Sequence, residues 1–210
     1  MFAGIVETTS SVVSTHMRGK CRRVEIQTPQ EWKLAVGESV NIDGICSTVV
    51  AHGRGMFAVE YMPETLSKTT AATWLPRHVV NLERSLKWQG RIHGHFVAGH
   101  VDARGVIADI LKQGRSRVLS IKISHALRKF VAPRGSISID GASLTIARIV
   151  SGRIEVALIP HTLRATNLGT LKQGDVVNIE CDLLTRYTLA HTNGNGRVRH
   201  NGAKRAQKKK

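Results

Sequence analysis

The sequence predicts an all-β protein made of two tandem, pseudo-symmetric, six-stranded antiparallel Greek-key barrels. Three observations support this fold class: an internal repeat at a fixed offset, alternation of apolar and polar residues within short segments, and little helical periodicity. Several short strands in a repeat of about 90 residues can bury one face only by closing on themselves. We therefore expect one small barrel per repeat.

The repeat is clearest where VNIDGICSTVV at 40–50 returns as ISIDGASLTIA at 137–147, an offset of 97 residues. Two further pairs keep this offset: MPETL at 62–66 with IPHTL at 159–163, and VVNLE at 79–83 with VVNIE at 176–180. Chance does not hold one register over such a length, so the chain is two copies of one unit. We predict domains at 1–88 and 95–185, joined by a linker near RSLKWQGRIH.

Strands are predicted where apolar residues alternate with polar ones. This pattern occurs in SVNID, SIKIS and SISID, and β-rich runs follow glycine-bearing turns in MFAVEY and RIEVALI. Helical signal is confined to SHALRKFV and LLTRYTLAH. We expect a short C-terminal helix at 186–192, followed by a disordered basic tail at 193–210.

Much of the excess positive charge lies at one end of the chain. Seven Lys and Arg residues and no acid lie in 193–210, out of a net charge of +16 for the whole sequence. A solvated terminus explains this better than a nucleic-acid site, since an aromatic content of 4% gives few stacking platforms for bases. The three cysteines form no C-x-x-C pair. The first fifteen residues contain Glu7 and no basic region, and no apolar run is long enough to cross a bilayer, so we expect neither a signal peptide nor a membrane span. We expect a cytoplasmic protein with no membrane or nucleic-acid partner.

Three histidines stand close together in HGHFVAGH at 93–100. His93 and His95 would share one face of a strand, which is one geometry for a metal site. No carboxylate within the stretch completes a ligand set, so we expect no metal. The segment VAGHV at 97–101 instead aligns with FAGIV at 2–6, which predicts that it opens the second barrel and that His100 belongs to a binding site.

Nine motifs, in the same order along about residues 1–190, together resemble the riboflavin synthase family: MFAGIV, DGICSTVV, MPETL, VNLER, GHFVAGHVD, GSISIDGASLTI, LIPHTL, TNLG and VNIECDLLTRY. The resemblance implies a transferase at the last step of riboflavin biosynthesis. It would dismutate two 6,7-dimethyl-8-ribityllumazine molecules to riboflavin and 5-amino-6-ribitylamino-2,4-pyrimidinedione by moving a four-carbon unit. No cofactor is implied. A non-catalytic lumazine- or flavin-binding protein is the alternative, and a nucleic-acid-binding barrel that uses the basic tail is a third interpretation.

The resemblance also implies functional residues. Catalytic roles fall on Cys46, Ser143, Thr145, His100 and Asp182: a thiol or hydroxyl at each pocket floor, His100 for proton handling and Asp182 for orienting a partner. The implied substrate-binding residues line two like pockets: Gly4, Ile5, Val6, Ser47, Thr48, Glu60, Tyr61, Met62, Pro63, Glu64, Thr65, Gly99, Val101, Arg134, Leu144, Ile159, Pro160, His161, Thr162, Leu163 and Arg164.

Some of these residues have structural explanations. Cys46 fits a small buried hydrophobe, Thr48 and Thr145 are good β-formers, and Asp43 and Asp140 each precede a turn glycine. Both copies also depart from the family. In the first copy, Ser47 stands where Leu144 lies in the second, which predicts a more polar pocket, and the loop at 69–81 contains Trp74 and Pro76. In the second copy, His161 stands where the first has the acid Glu64.

The implied assembly is a homotrimer. In the family, the two substrates meet between the first barrel of one subunit and the second barrel of its neighbour, which removes the entropy of a bimolecular encounter. An association with lumazine synthase is also implied.

Overall fold

A computed structural model describes residues 1–192 and shows two closed antiparallel barrels of six strands each, with few helices. The predicted fold class is confirmed. The predicted basic tail at 193–210 lies outside the described residues. No helix in the described part of the chain is long and apolar enough to span a bilayer.

The first barrel contains six strands, closed in the order β1-β2-β5-β4-β3-β6. They are β1 (Thr8–Arg18), β2 (Cys21–Gln27), β3 (Ser39–Ile42), β4 (Ile45–Gly53), β5 (Met56–Tyr61) and β6 (Val79–Arg84). The interrupted order arises because β3 pairs with β6 and β5 with β2, so the chain crosses the barrel ends instead of running up and down.

The second barrel repeats this topology in the order β7-β8-β11-β10-β9-β12. Its strands are β7 (Ala103–Gln113), β8 (Ser116–Lys122), β9 (Ser136–Ile139), β10 (Ala142–Val150), β11 (Arg153–Leu158) and β12 (Val176–Cys181). Register shifts in β1 and β4 occur at the positions equivalent to those in β7 and β10, so the bulges that curve the sheet are also repeated.

Alternation of side chains along the strands builds one apolar core inside each barrel. In β3 and β9, Val40 and Ile42 match Ile137 and Ile139, and all four are fully buried. The first core also holds Trp74, which is completely buried and meets the Tyr61 ring edge-on with ring centroids 5.8 Å apart. The loop that the sequence marked as unusual therefore supplies the largest fully buried side chain of the first barrel.

Helices are few and short. They are α1 (Pro63–Lys68), α2 (Pro160–Ala165) and α3 (Leu183–Thr192), with 3₁₀ turns at Thr70–Ala72, His125–Phe130 and Asn167–Thr170. The helix α3 begins three residues before the expected position 186, and SHALRKFV forms a 3₁₀ turn. Both α1 and α2 begin with a proline, which suits the first helical turn because its missing N–H has no partner there. The sequence patterns did not predict these two helices.

The two barrels meet through a symmetric pair of asparagines. Asn81 Nδ2 donates to the Asp140 carbonyl at 2.8 Å, and Asn178 Nδ2 donates to the Asp43 carbonyl at 2.8 Å. Each asparagine also donates its backbone N–H to an aspartate carboxyl, Asn81 to Asp43 and Asn178 to Asp140, both at 2.7 Å. The turns that the sequence assigned to these aspartates thus also join the barrels.

Thr70 links this interface to the core of the first barrel. Its Oγ1 accepts hydrogen bonds from Asn178 Nδ2 at 2.9 Å and from the Trp74 indole N–H at 3.2 Å. Because all three residues are buried, the Trp74 indole N–H and the Asn178 amide N–H that is not bonded to Asp43 both depend on this one hydroxyl.

Candidate functional site

Each predicted pocket floor is covered by the segment that leads into the other barrel. The Cys46 backbone N–H on β4 donates to the Gly99 carbonyl at 2.8 Å, and the equivalent Ser143 N–H on β10 donates to the Gly4 carbonyl at 2.7 Å. Residues near Gly99 therefore join Cys46 in one site, and residues near Gly4 join Ser143 in the other.

Side-chain packing shows that each lead-in segment also contacts the core of the other barrel. Val101 packs against the core of the first barrel, and Val6 packs against the core of the second. We call the segments 2–6 and 97–101 the crossing segments, because each leads into one barrel and lies against the other. An isolated antiparallel bridge joins them: the Phe2 N–H donates to the Val97 carbonyl at 2.8 Å, and the Val97 N–H donates to the Phe2 carbonyl at 3.1 Å. The expectation that VAGHV opens the second barrel is wrong, because β7 begins only at Ala103 and the preceding residues cross to the first barrel.

Glycine is required at both crossing points. Gly4 and Gly99 have φ angles of +72° and +78°, in the left-handed region that disfavours other residues. A Cβ built at Gly4 would lie 2.6 Å from the Ser143 Cβ, and one at Gly99 would lie 2.6 Å from both the Cβ and the backbone nitrogen of Cys46. Backbone thus approaches each floor residue more closely than any side chain would allow.

Two buried glutamates hold the crossing segments in place. Glu83, at the end of β6, accepts from the backbone N–H of Ala3 at 2.7 Å and of Gly4 at 3.1 Å. Burial raises the pKa of Glu83 to about 7, against the opposing effect of the N–H groups of Ala3, Ile5 and Gly4. The Glu83 carboxyl therefore changes charge near neutral pH.

Glu180, at the equivalent place in β12, holds the second crossing segment. It accepts from Ala98 at 2.7 Å, Gly99 at 2.9 Å and His100 at 3.1 Å, all through backbone N–H groups. Burial also raises the pKa of Glu180. Sequence reasoning assigned neither glutamate a role, although the VNLE and VNIE motifs place both at the ends of equivalent strands.

The floor of the second site carries a serine paired with a histidine. The Ser143 Oγ lies 2.7 Å from His95 Nδ1, and His95 Nε2 is buried without a hydrogen-bond partner. Burial lowers the pKa of His95, while the charge of Asp182 opposes this shift, which places Asp182 within electrostatic reach of the ring. A neutral imidazole beside a hydroxyl can accept its proton.

His95 was missed by the sequence analysis, which weighed it only as a metal ligand. The repeat offers no counterpart for His95 within the chain, and pairing with Ser143 across 48 positions gives no local signal. Asp182, expected to act with His100, also caps α3 by accepting from the Leu184 N–H at 2.9 Å. His100 is exposed and interacts electrostatically with Glu180.

Other floor residues divide between pocket and core. Cys46 is partly exposed, and Thr48 and Thr145 are exposed on the same faces of β4 and β10 as the floor residues. Ser47 points the other way. Its hydroxyl is buried in the first barrel, 2.9 Å from the Tyr61 hydroxyl, and burial raises the pKa of Tyr61. The Ser47 substitution is therefore matched by Tyr61 inside the barrel, and these side chains do not make the pocket more polar.

The rim residues lie on equivalent elements of the two barrels. Pro63, Glu64 and Thr65 belong to α1, and Pro160, His161, Thr162, Leu163 and Arg164 belong to α2. Met62 and Ile159 precede these helices and are 62% and 58% exposed, which leaves large apolar side chains uncovered at matching places. The exposed Glu64 pairs with Lys68 at 2.7 Å.

The remaining predicted residues are more varied. Glu60 is exposed and pairs with Arg23 at 3.3 Å, Leu144 packs against the core of the second barrel, and Ile5 is 42% exposed. Arg134 has a φ of +68° and donates its N–H to the carbonyl of Ile146, in the middle of β10, at 2.8 Å. Its position next to this strand leaves the side chain exposed.

A separate cavity of about 560 Å³ lies between the barrels and is lined by none of the predicted site residues. Asp43 and Asp140 form part of its wall. Burial raises the pKa of Asp140 to about 7, and burial together with the charge of Asp140 raises the pKa of Asp43. This cavity belongs to the barrel interface.

No group of three or more His, Cys, Asp or Glu side chains within residues 1–192 is placed to share a metal ion. The cysteines in this part of the chain are all free thiols.

Comparison with known proteins agrees with the repeat. A family described as Lumazine binding domain matches twice, at residues 3–85 and 98–182. Riboflavin synthase of Actinobacillus pleuropneumoniae is 36% identical over 188 residues, which cover 89% of this chain and 87% of that protein. Riboflavin synthase of Brucella abortus (strain 2308) is 36% identical over 194 residues, covering 89% of this chain and 96% of its own length. The chain belongs to the riboflavin synthase family. The predicted enzyme class, a transferase of the riboflavin pathway, is confirmed.

Solved structures show the same fold. LumP complexed with riboflavin superposes with a TM-score of 0.81 at 23% identity, covering 86% of this chain and 99% of that one. LumP complexed with 6,7-dimethyl-8-(1'-D-ribityl) lumazine gives a TM-score of 0.79 at 22% identity, covering 86% and 98%. The tandem-barrel fold of this chain thus also occurs in LumP, whose structures contain a lumazine or riboflavin.

Proposed function

We propose that the chain converts two molecules of 6,7-dimethyl-8-ribityllumazine to riboflavin and 5-amino-6-ribitylamino-2,4-pyrimidinedione. One observation supports this most directly. The chain builds two like sites, with Cys46 under Gly99 and Ser143 under Gly4, joined by backbone hydrogen bonds of 2.8 and 2.7 Å. A reaction between two copies of one compound needs two such sites. The relatives named riboflavin synthase and the lumazine bound to LumP agree with this substrate.

The reaction moves four carbons, which include C6, C7 and their methyl groups, from a donor lumazine to an acceptor lumazine. The donor keeps its pyrimidine nitrogens as the diamine product, and the acceptor completes the third ring of riboflavin. The first proton leaves the acidic C7 methyl group to give a carbanion delocalised into the ring, a step for which a nearby base is suited.

The two floors would contribute differently. At the second site, Ser143 is hydrogen-bonded to a neutral His95, so this site would pair a nucleophilic hydroxyl with a proton acceptor. At the first site, Cys46 supplies a partly exposed thiol beneath the segment that carries His100. Thr48 and Thr145 would offer hydroxyls to the heterocycle. The charge of Asp182 would favour the protonated form of the His95 ring once it has accepted a proton.

We also propose a cytoplasmic homotrimer that brings a first site of one subunit against a second site of its neighbour. Exposed apolar side chains support an assembly: Leu184 and Tyr187 on α3 are 64% and 60% exposed, and Met62 and Ile159 are exposed as well. Sedimentation equilibrium tests the trimer, and Leu184→Asp is expected to weaken it. An association with lumazine synthase is tested by co-sedimentation of the two purified proteins.

A single incubation tests the activity. Purified protein given only 6,7-dimethyl-8-ribityllumazine is expected to produce the fluorescence of riboflavin together with the diamine in a one-to-one ratio. Ser143→Ala is expected to lower kcat by about a hundredfold or more, as loss of a group in general acid–base chemistry does. Ser116→Ala, on β8 of the same barrel, is the matched control and should keep full activity.

Tight binding of the lumazine without riboflavin formation would contradict the proposal and identify a carrier. Removal of residues 193–210 should leave turnover intact. A salt-sensitive affinity for nucleic acid that this removal abolishes, with no affinity for the lumazine, would instead identify a nucleic-acid-binding protein.

A further inference from the structure

We infer that Glu83 and Glu180 are positioning residues that set the geometry of both sites, each by holding the backbone of a segment that covers the other barrel. The inference rests on the proposed function for its kinetic consequence. Its structural part concerns the crossing segments alone and can be measured without turnover.

The geometry of the two contacts is equivalent. The Oε1 atoms of Glu83 and Glu180 each accept from an alanine N–H at 2.7 Å, from Ala3 and Ala98 respectively. The Oε2 atoms accept from the next residue, Gly4 at 3.1 Å and Gly99 at 2.9 Å. A carboxylate is suited to this arrangement because both oxygens must accept. A glutamine of the same size would turn one donor amide towards a backbone donor.

These contacts determine where the pocket walls lie. Glu180 holds the N–H of Gly99, whose carbonyl accepts from the Cys46 N–H. Glu83 holds the N–H of Gly4, whose carbonyl accepts from the Ser143 N–H. Each glutamate therefore fixes a glycine that contacts a floor residue. Glu180 additionally holds the N–H of His100, which the family resemblance places in proton handling. A shift of the segment would move these groups relative to the substrate, and small displacements of this kind are costly in rate.

The carboxyl groups are largely hidden from water. Glu83 and Glu180 are 5% and 4% exposed, and each is the second-last residue of a strand that closes its own barrel. The charged group that faces Glu83 is Glu7, which disfavours a second negative charge. Asp102 does the same at Glu180, whereas His100 favours the charge there. Both glutamates therefore sit where the ionised form is disfavoured by burial and supported by the backbone N–H groups.

A pH effect follows for Glu83, whose pKa lies at about 7. Above that pH the carboxylate offers two acceptors to Ala3 and Gly4. Below it, one oxygen carries a proton and faces an N–H group, so the segment is held less firmly. Activity is expected to fall as the pH decreases through about 7, because Glu83 holds the segment that covers the site at Ser143.

Two measurements test the inference. In amide NMR spectra of the full chain, the Ala3 and Gly4 resonances should titrate with a midpoint near 7 in the wild type. In Glu83→Gln this titration should be lost, while the amides of Ala98 and Gly99 stay unchanged. In Glu180→Gln, the amides of Ala98, Gly99 and His100 should lose protection against hydrogen exchange, while those of Ala3 and Gly4 stay unchanged. Glu31→Gln, at an exposed glutamate, is the matched control and should behave as wild type.

Kinetics supply the second measurement. Glu83→Gln and Glu180→Gln are each expected to lower kcat by up to about a hundredfold. The part of the acidic limb of the kcat profile that has its midpoint near pH 7 should disappear in Glu83→Gln, which a merely structural role would not cause. If a variant does not fold, the wild-type titration alone decides the matter. Ala3 and Gly4 amides that do not titrate between pH 5 and 9 would overturn the inference.

The two proposals fail in distinguishable ways. Absence of riboflavin formation by the wild type removes the proposed function. In that case the affinity of each variant for riboflavin decides the positioning role, since a displaced segment should lower affinity at one of the two sites. Unchanged affinity in both variants would then overturn it.

Discussion

Substitution of Gly99 by alanine is the sharpest test of the exchanged sites. The new Cβ would lie 2.6 Å from both the Cβ and the backbone nitrogen of Cys46, in a residue whose φ is +78°. Two separate penalties therefore act on one residue, a left-handed backbone and an overlap with the floor of the first site.

The magnitudes can be separated. The left-handed conformation costs a non-glycine residue about 1–2 kcal/mol, and overpacking of a close contact typically adds about 1–3 kcal/mol. Gly99→Ala should therefore lower the free energy of unfolding by about 2–5 kcal/mol. Gly19→Ala is the matched control, because Gly19 has a φ of +61° but nothing within 4 Å of a built Cβ. It should lose only the backbone part.

Urea denaturation followed by tryptophan fluorescence, to which the buried Trp74 contributes, measures the stability of both variants. Riboflavin titration counts the sites that remain. Gly99→Ala is expected to lose the site at Cys46 and to keep the one at Ser143, since the segment that covers the latter is the other one. Equal losses of stability in the two variants, or loss of both sites together, would refute the reasoning.

Three further outcomes concern stability. Ser47→Ala should lower the free energy of unfolding by about 1–3 kcal/mol, because it leaves the buried Tyr61 hydroxyl unpaired; Ser47→Ala with Tyr61→Phe should cost less than the sum of the single changes in a urea double-mutant cycle. Thr70→Val should cost about 2–4 kcal/mol in the same assay, since two buried donors lose their acceptor. Burial raises the pKa of Asp140 to about 7 and also raises that of Asp43, so the folded state binds more protons than the unfolded one and stability should fall as the pH rises from about 4 to about 7. Asp140→Asn should flatten this decline in urea midpoints collected from pH 4 to 8, and an unchanged slope would contradict the assignment.

The sequence was sufficient to predict the architecture because the repeat spans elements of several kinds. Strand alternation around Ile42 and Ile139 is a local property, and an offset shared with the VNLE and VNIE motifs carries it over a whole barrel. The helices α1 and α2 were not predicted, since six residues are too few to show a helical period. Their proline starts are visible only after the helix is known.

Side-chain direction was harder to predict than strand position. The family resemblance assigned both Ser47 and Cys46 of the DGICSTVV motif to the pocket, yet neighbours on a strand face opposite sides. The interior direction follows from Tyr61, whose hydroxyl needs a partner and finds it in Ser47. That match is a contact between β4 and β5, which no single segment of sequence reveals.

The crossing of the lead-in segments could not be predicted from the repeat. Alignment of FAGIV with VAGHV shows that the two segments are equivalent, but equivalence holds whether each covers its own barrel or the other one. The deciding contacts, Gly99 with Cys46 and Gly4 with Ser143, join residues more than fifty positions apart. The roles of Glu83 and Glu180 were not predicted either, because their partners are backbone N–H groups about eighty positions away, which leave no pattern in the sequence.

The Phe2–Val97 bridge has a consequence for the separated halves. A half cut from the chain would keep its strands but would lose the crossing segment that covers its floor residue, and its own crossing segment would have no barrel to cover. Two identical halves could restore both contacts by exchanging crossing segments, as protomers do in a domain-swapped dimer. Severing the chain near Trp88 and mixing the pieces should therefore yield paired halves rather than single ones.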